Sequence, residues 1–438
     1  MKMNKAAILV LFTMLVMPWR AGADEIIRKG ELLTLERAVA IAAERHPNII
    51  SARSSVDAAQ SRVGQARSGY YPQIDMTAGY NRIKPTSSSF SQSQGSDTTT
   101  SSASTSFDQY SASLALTQNL YDFGKTKAQV DIQVFNLEAS RDDLSGVADV
   151  VVFNVKQSYF SVLKAKRTRD VAEETVSQFV KHLDQAKGFF EVGTKPKFDV
   201  TKAEVDLSNA KLNLIKAENA RRVALVTLNN ALGVPDAPEY LVEDNLSFQK
   251  YAITYDEALE KAYKNRPDLT ALLARKAAAE KAVTLAEKGY YPFLTGNAGY
   301  TRAGESFPLN NGWSVGATLS FPIFSGFLTK NQVEEARANL KVIKANEETL
   351  RQNILLEVKQ DYLALAEAEE RITNAELTVR QAMENLEIAN GRYAAGVGNP
   401  IEVADAEVSL SNAKTEHISA LYDYRVSRAS IEKAIGLR

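Results

Sequence analysis

The only imidazoles in the chain are His46, His182 and His417, and cysteine is absent altogether. The histidines sit in separate segments, without the close repeated spacing that brings several ligands to one metal ion. They read as structural or solvent-facing. No phosphate-binding glycine loop and no nucleophile elbow occurs, and Gly396-Val397-Gly398 reads as a turn instead of a nucleotide fingerprint. No catalytic residue, metal site or cofactor is therefore expected, and the chain reads as something other than an enzyme.

Charge narrows the partners. With 52 basic against 53 acidic residues, the chain lacks the basic excess of a nucleic-acid binder. The first residues read as a secretory signal, 1–23. Lys2 and Lys5 precede the apolar run Ala6 to Met17, and Ala21-Gly22-Ala23 gives a cleavage site, so the mature chain would start near Asp24. After it no apolar run reaches the roughly 18 residues of a spanning helix. Any entry into a membrane must then be made by strands.

The elements that carry these residues are written twice. GYYPQIDMTAGYNR, Gly69 to Arg82, returns as GYYPFLTGNAGYTR, Gly289 to Arg302, and the whole of Thr34 to Arg82 aligns with Thr254 to Arg302 at an offset of 220. Farther on, Lys156-Gln157 matches Lys359-Gln360, LSNAK at Leu207 to Lys211 matches Leu410 to Lys414, and Gly233 matches Gly436, all at an offset of 203. The chain is thus two copies of one unit, 24–236 and 254–438, joined by 237–253. The fall in offset places 17 extra residues in the first copy, within the Ser/Thr-rich tract Ser87 to Ser106. Such a tract cannot bury a core and reads as a solvated loop.

Within each copy the period changes from helix to strand and back. Ile74, Met76, Ala78 and Tyr80 alternate with polar or small residues, as do Ala112, Leu114 and Leu116, and Trp313, Val315, Ala317 and Leu319. The predicted strands cover about 70–83 and 110–123, then 290–302 and 313–324. About ten residues of period two, flanked by Tyr70, Tyr71, Tyr121, Phe123, Tyr290, Tyr291, Phe321 and Phe324, suit tilted membrane strands with aromatic ends. Half-buried hairpins of a soluble domain would show the same alternation.

Long helical hairpins follow, over about 125–232 and 328–435. Ile372, Ala375, Val379, Ala382, Leu386, Ala389 and Tyr393 step by three and four, and Ala172, Val176, Phe179, Leu183, Ala186 and Phe190 do the same. This is an alanine-rich coiled-coil seam. Each ends at a glycine-then-proline turn, EVGTKPKFD at Glu191 to Asp199 and AAGVGNPIE at Ala394 to Glu402.

Four strands cannot close a membrane barrel, and an open sheet in lipid leaves its edges unsatisfied. Two chains would supply eight strands and little lumen, whereas three supply twelve and leave room for a channel. With the duplicated helix–strand–strand–helix unit, YYP before the first strand of each copy, the glycine tips and SFPIF at Ser320 to Phe324, the chain resembles the TolC family of outer-membrane efflux and secretion channels. The resemblance spans essentially the whole mature length.

That resemblance implies a mainly α fold with a β-barrel part. A homotrimer would form a twelve-stranded barrel in outer-membrane lipid of a Gram-negative bacterium and a long coiled-coil α-helical barrel across the periplasm. The tips would meet a periplasmic adaptor attached to an inner-membrane pump. The function implied is the passive exit duct of a tripartite efflux pump or type I secretion system, with a non-conducting periplasmic scaffold as the alternative. Aligned through Gly391 to Gly396, Glu402 and Asp405 fall on the family's paired acidic gate positions, Asp199 matches a third, and Lys202 stands opposite Asp405 in the repeat. The acids also simply suit a helix's first turn. Gly193, Thr194, Gly396 and Val397 would form the adaptor-facing turns, and Tyr70-Tyr71-Pro72 and Tyr290-Tyr291-Pro292 the helix-to-barrel junctions. A basic gate residue of some relatives aligns with Gly398, so the closing bonds differ here. The cargo is not written in the sequence.

Overall fold

A computed structural model describes residues 27–84 and 106–437. The expected signal, 1–23, and the Ser/Thr-rich insertion up to residue 105 lie outside the described residues. The first copy runs β1 (Leu32–Leu33), α1 (Leu35–Arg45), α2 (Pro47–Arg67), β2 (Gln73–Ile83), β3 (Phe107–Tyr121), α3 (Lys125–Glu191) and α4 (Lys197–Leu232). After β4 (Leu241–Val242) the second copy gives α5 (Tyr255–Asn265), α6 (Pro267–Glu287), β5 (Phe293–Gly304), β6 (Asn310–Ser320), α7 (Leu328–Ala394) and α8 (Pro400–Ala434).

The short helices start and stop where the sequence punctuates them. Thr254 and Glu257 form a full capping box on α5. Pro47 and Pro267 open α2 and α6, and the extended residue before each, His46 or Arg266, ends the preceding helix. Glycines close the long hairpins against these breaks. Gly233 has φ +74°, and a Cβ there would stand 3.0 Å from the His46 Cα; Gly436 has φ +70° and faces Asn265 backbone at 2.8 Å. Any side chain at either place would separate hairpin from break.

The four strands of the larger sheet run in the order β2-β3-β5-β6, all antiparallel, with β2 and β6 as free edges. Directly opposed residues share a face, so the register sorts the sheet cleanly. Ile74 meets Leu116, Met76 meets Leu114, and Leu114 in turn meets Tyr300, which faces Trp313. The other face aligns Thr77 with Ser113, Ser113 with Thr301, and Thr301 with Gly312. The apolar face is bare in the single chain: Met76, Trp313, Val315 and Leu319 are all highly exposed. Among the described residues no helix is long and apolar enough to cross a membrane.

The first strand of each copy begins later than the alternation predicts, and the second begins earlier, at Phe107 and Asn310. The first two residues of each YYP close a short 3₁₀ turn and an extended step, Ser68–Tyr70 then Tyr71 and Lys288–Tyr290 then Tyr291, so the ladders start at Gln73 and Phe293. Proline lacks the amide hydrogen a ladder needs, and this fixes the first possible strand residue. The 3₁₀ turn explains the preceding glycine as well. A Cβ on Gly69 would lie 3.0 Å from the Thr126 methyl, and one on Gly289 would lie 2.8 Å from that of Thr329.

Two consecutive left-handed residues turn each outgoing strand into its helix: Phe123 and Gly124 in the first copy, Gly326 and Phe327 in the second. The Asp122 carboxylate accepts from the Gly124 and Thr126 amides at 3.0 and 2.6 Å, fixing the first of these turns. Helices α3 and α7 are each 67 residues, about 100 Å long. The largest apolar core gathers where α1, α5 and the inter-repeat segment wrap the hairpins, around Leu33, Tyr159, Leu163, Leu228, Leu246, Ile354 and Tyr424. There 237–253 is more than a connector. Its β4 pairs in parallel with β1, and the buried Tyr159 hydroxyl donates to the carbonyls of both Leu33 and Glu243.

Candidate functional site

At the far end of the hairpins both turns close in the same way. Gly193 and Gly396 have φ of +73° and +78°, and a Cβ on either would meet nothing within 4 Å. These glycines answer a backbone need, leaving open space outside the turn. Thr194 and Lys195 amides donate to the Phe189 carbonyl, while those of Val397 and Gly398 donate to that of Arg392. Val397 projects an apolar side chain into solvent, 72% exposed. Gly398 differs in kind. Its φ is ordinary, yet a Cβ would stand 2.7 Å from the Tyr393 amide nitrogen and 2.8 Å from the Arg392 carbonyl carbon. The Arg392–Tyr393 peptide group leaves no room for a side chain there.

The three expected acids do not occupy one environment. Glu402 is exposed beside Arg392, whose Nε lies 3.3 Å from the carboxylate. Half-exposed pairs of this kind contribute well under about 1 kcal/mol. Asp405 is exposed on the next turn of α8. Asp199, by contrast, is buried at 5% exposure at the start of α4. Lys202, placed opposite Asp405 by the repeat, pairs with Asp206 on its own helix at 2.5 Å. An i,i+4 partner is always within reach along one helix, whereas Asp405 is carried by the other hairpin.

Around Asp199 the structure assembles residues that sequence reasoning left apart. Tyr393 is fully buried, and His182 and Phe189 pack on its ring with centroids 5.3 and 5.5 Å away. Its hydroxyl is buried without a hydrogen-bond partner among the described residues. Burial, with the nearby Asp199 charge, raises the phenol above its ordinary value. His182 is buried as well, and desolvation lowers its imidazole against the opposing pull of Asp206 and Asp199. Lys195 crosses from the first tip to the second, with Nζ 3.4 Å from the Gly398 carbonyl oxygen and 5.5 Å above the Tyr393 ring. Phe190, the expected end of the first seam, is exposed; Phe189 faces inward instead. A helix turns about 100° per residue, so one step at the end of a seam exchanges which ring is buried.

Higher on the same hairpins Glu407 is only 5% exposed between α8 and α3. Burial pushes its carboxyl up to about 7, with Glu174 adding to the rise and Lys414 and Lys181 opposing it. Tyr393 could have been suspected, since it ends a seam; an acid such as Glu407 gives no such signal. Among the described residues, no group of three or more histidine, cysteine or acidic side chains is arranged to hold a metal ion.

At the sheet end, Tyr70, Tyr71, Tyr290 and Tyr291 all project outward and are about half exposed. Phe123 stacks on Tyr291 at 5.8 Å and Tyr121 meets Phe123 at 4.6 Å, so rings from both copies form one patch beside the junctions. A second aromatic group, Tyr80, Tyr110 and Phe307, sits at the opposite end of the sheet.

Four likenesses bear on this geometry. The sequence profile of the outer membrane efflux proteins matches residues 38–234 and 258–437. The outer membrane protein TolC of Escherichia coli (strain K12) is 23% identical over 410 residues, covering 89% of this chain and 80% of that protein. The cobalt-zinc-cadmium resistance protein CzcC of Cupriavidus metallidurans is 24% identical over 414 residues, with 92% and 90% covered. In fold, the chain matches the crystal structure of the outer membrane protein VceC from Vibrio cholerae at a TM-score of 0.76 and 19% identity, covering 92% of this chain and 96% of that one.

Proposed function

Since this chain belongs to the outer membrane efflux protein family, and is an outer-membrane efflux channel, we propose that three copies of it close one duct from the periplasm to the cell exterior. The observation that carries this reading is the two-faced sheet with β2 and β6 unpaired, mounted on 67-residue helices. Unsatisfied strand edges cost several kcal/mol per group in lipid, and three sheets joined β6 to β2 satisfy every edge with twelve strands. The units 24–236 and 254–438 then stand as six pseudo-equivalent wedges around one axis, with 237–253 binding them at mid-height.

The apolar face and its two aromatic groups would lie in the lipid, with Tyr70-Tyr71-Pro72 and Tyr290-Tyr291-Pro292 at its periplasmic boundary. The tips would then open toward a periplasmic adaptor and the inner-membrane pump it serves. Gly193, Thr194, Gly396 and Val397 suit that docking because their outer sides are free. Glu402, Asp405 and the buried Asp199 would set the electrostatics of the aperture, each repeated three times, and a ring of carboxylates favours cations. Transport energy would come from the pump, with this chain the passive part.

Planar-bilayer recording of the purified protein tests the reading. The expected result is a cation-preferring conductance whose preference falls when Glu402→Gln and Asp405→Asn are combined. A protein that inserts but never conducts, even with both acids neutralised, would support the scaffold alternative.

A further inference from the structure

The polar face of the sheet can be read residue by residue from its register. On β2 it carries Gln73, Asp75, Thr77, Gly79, Asn81 and Ile83, and the residues facing these from β3, β5 and β6 are Ser, Thr, Asn, Gln, Gly, Ala and two Phe. Among the described residues, Asp75 is the one acidic or basic side chain on that face. The other charged strand residues, Arg82, Asp108 and Arg302, fall on the apolar face at the end remote from Pro72, and Arg82 lies 3.8 Å from Asp108.

Asp75 is also uncovered. Its cross-strand partner is Ala115, and the next residue along the same row is Gly299, followed by Ser314. None of these can reach over a carboxylate. Among the described residues, no hydrogen bond or ion pair engages it. The duplication makes the choice of residue more telling, since the equivalent position in the second copy is Thr295. The polar face therefore carries one charge per chain where a symmetric repeat would carry two.

We infer that Asp75 forms an ion-selecting ring inside the barrel, a cation-favouring site separate from the tips. The inference rests on the trimeric duct proposed above. Twelve strands about 4.8 Å apart, tilted about 40°, give a backbone radius of about 12 Å. Three carboxylates then stand about 9 Å from the axis, three residues beyond the junction proline Pro72. The Debye length is about 10 Å at 0.1 M salt and about 30 Å at 0.01 M. At the axis, three charges at that distance in water enrich cations about two- to three-fold at the higher salt and about five-fold at the lower.

The test is a reversal potential across a KCl gradient, recorded with the full-length protein carrying Glu402→Gln and Asp405→Asn so that the tips contribute least. In that background a cation preference remains and grows as salt is lowered. Adding Asp75→Asn, or Asp75→Thr to copy the second repeat, lowers the permeability ratio at least about two-fold at 0.1 M and about five-fold at 0.01 M. Asp75→Lys turns the preference toward anions. An unchanged ratio in channels of full conductance overturns the inference and leaves the duct intact. Loss of conductance in every protein, the parent included, overturns the duct itself.

Discussion

Glu407, a carboxylate buried between two helices, ties the stability of the hairpins to pH. The Glu407 carboxyl is held near 7 instead of 4.5, first by desolvation and then by Glu174. The folded chain therefore keeps its proton where the unfolded chain has lost it. Between about pH 4.5 and 7 the native state binds more protons, and stability declines as pH rises through that window. A shift of this size corresponds to something on the order of 3 kcal/mol when fully expressed. Glu407→Gln removes the titration while keeping the shape. Its melting temperature, followed by helical circular dichroism in detergent, should match that of the parent at pH 4.5 and exceed it at pH 8. An equal gap at both values would mean that the carboxyl is solvated in the assembled protein.

Turns at the hairpin ends show how an element separates a structural need from a binding surface. Gly396 needs a left-handed backbone, and its missing Cβ opens onto space. Asparagine tolerates that conformation and valine does not. Gly396→Asn should therefore preserve the turn while placing an amide on the outer surface. Gly396→Val should strain the turn by about 1–2 kcal/mol and loosen it. If the tip is a docking surface, both variants lose export, but only valine raises hydrogen exchange at the amides of 395–398. Export that survives in the asparagine variant would assign Gly396 to the turn alone. The same contrast applies at Gly193. Gly398 stands apart, because the Arg392–Tyr393 peptide group packed against it excludes even a methyl group, and the polar link across the tips comes instead from Lys195.

For the whole molecule, the bare apolar face and two free edges cannot be the final state in lipid. Joining β6 of one chain to β2 of the next leaves no edge unpaired, and this is the basis of the proposed trimer. Mass measurement in detergent should give three chains per particle, with no stable monomer. A monodisperse monomer that still inserts into bilayers would contradict closure by neighbouring sheets. Exposed apolar side chains along α4 and α7, such as Val205, Leu212, Ile215, Leu356 and Leu363, point the same way. They are surfaces a coiled-coil barrel would cover.

Much of this architecture was legible because it depends on periods and punctuation. The two 67-residue helices, the strand pairs and the glycine turns each follow from residues close together in the chain, where steric and hydrogen-bonding rules act locally, and the duplication follows from matching those local signals at constant offsets. The sequence also indicated which strand residues share a face, since alternation depends only on the pleat. Other features belonged to the tertiary structure. Phenylalanine in a left-handed turn at Phe123 and Phe327, the parallel pairing of Leu32–Leu33 with Leu241–Val242, and the exchange of Phe190 for Phe189 have no local signature. So too with His182 against Tyr393, the buried state of Asp199 and Glu407, and Lys195 reaching Gly398. Each depends on two hairpins meeting at one rotation about their axes. Local rules say that a helix will form and which stripe is apolar, but desolvation and charge pairing are set by whichever side chains the neighbouring helix brings alongside.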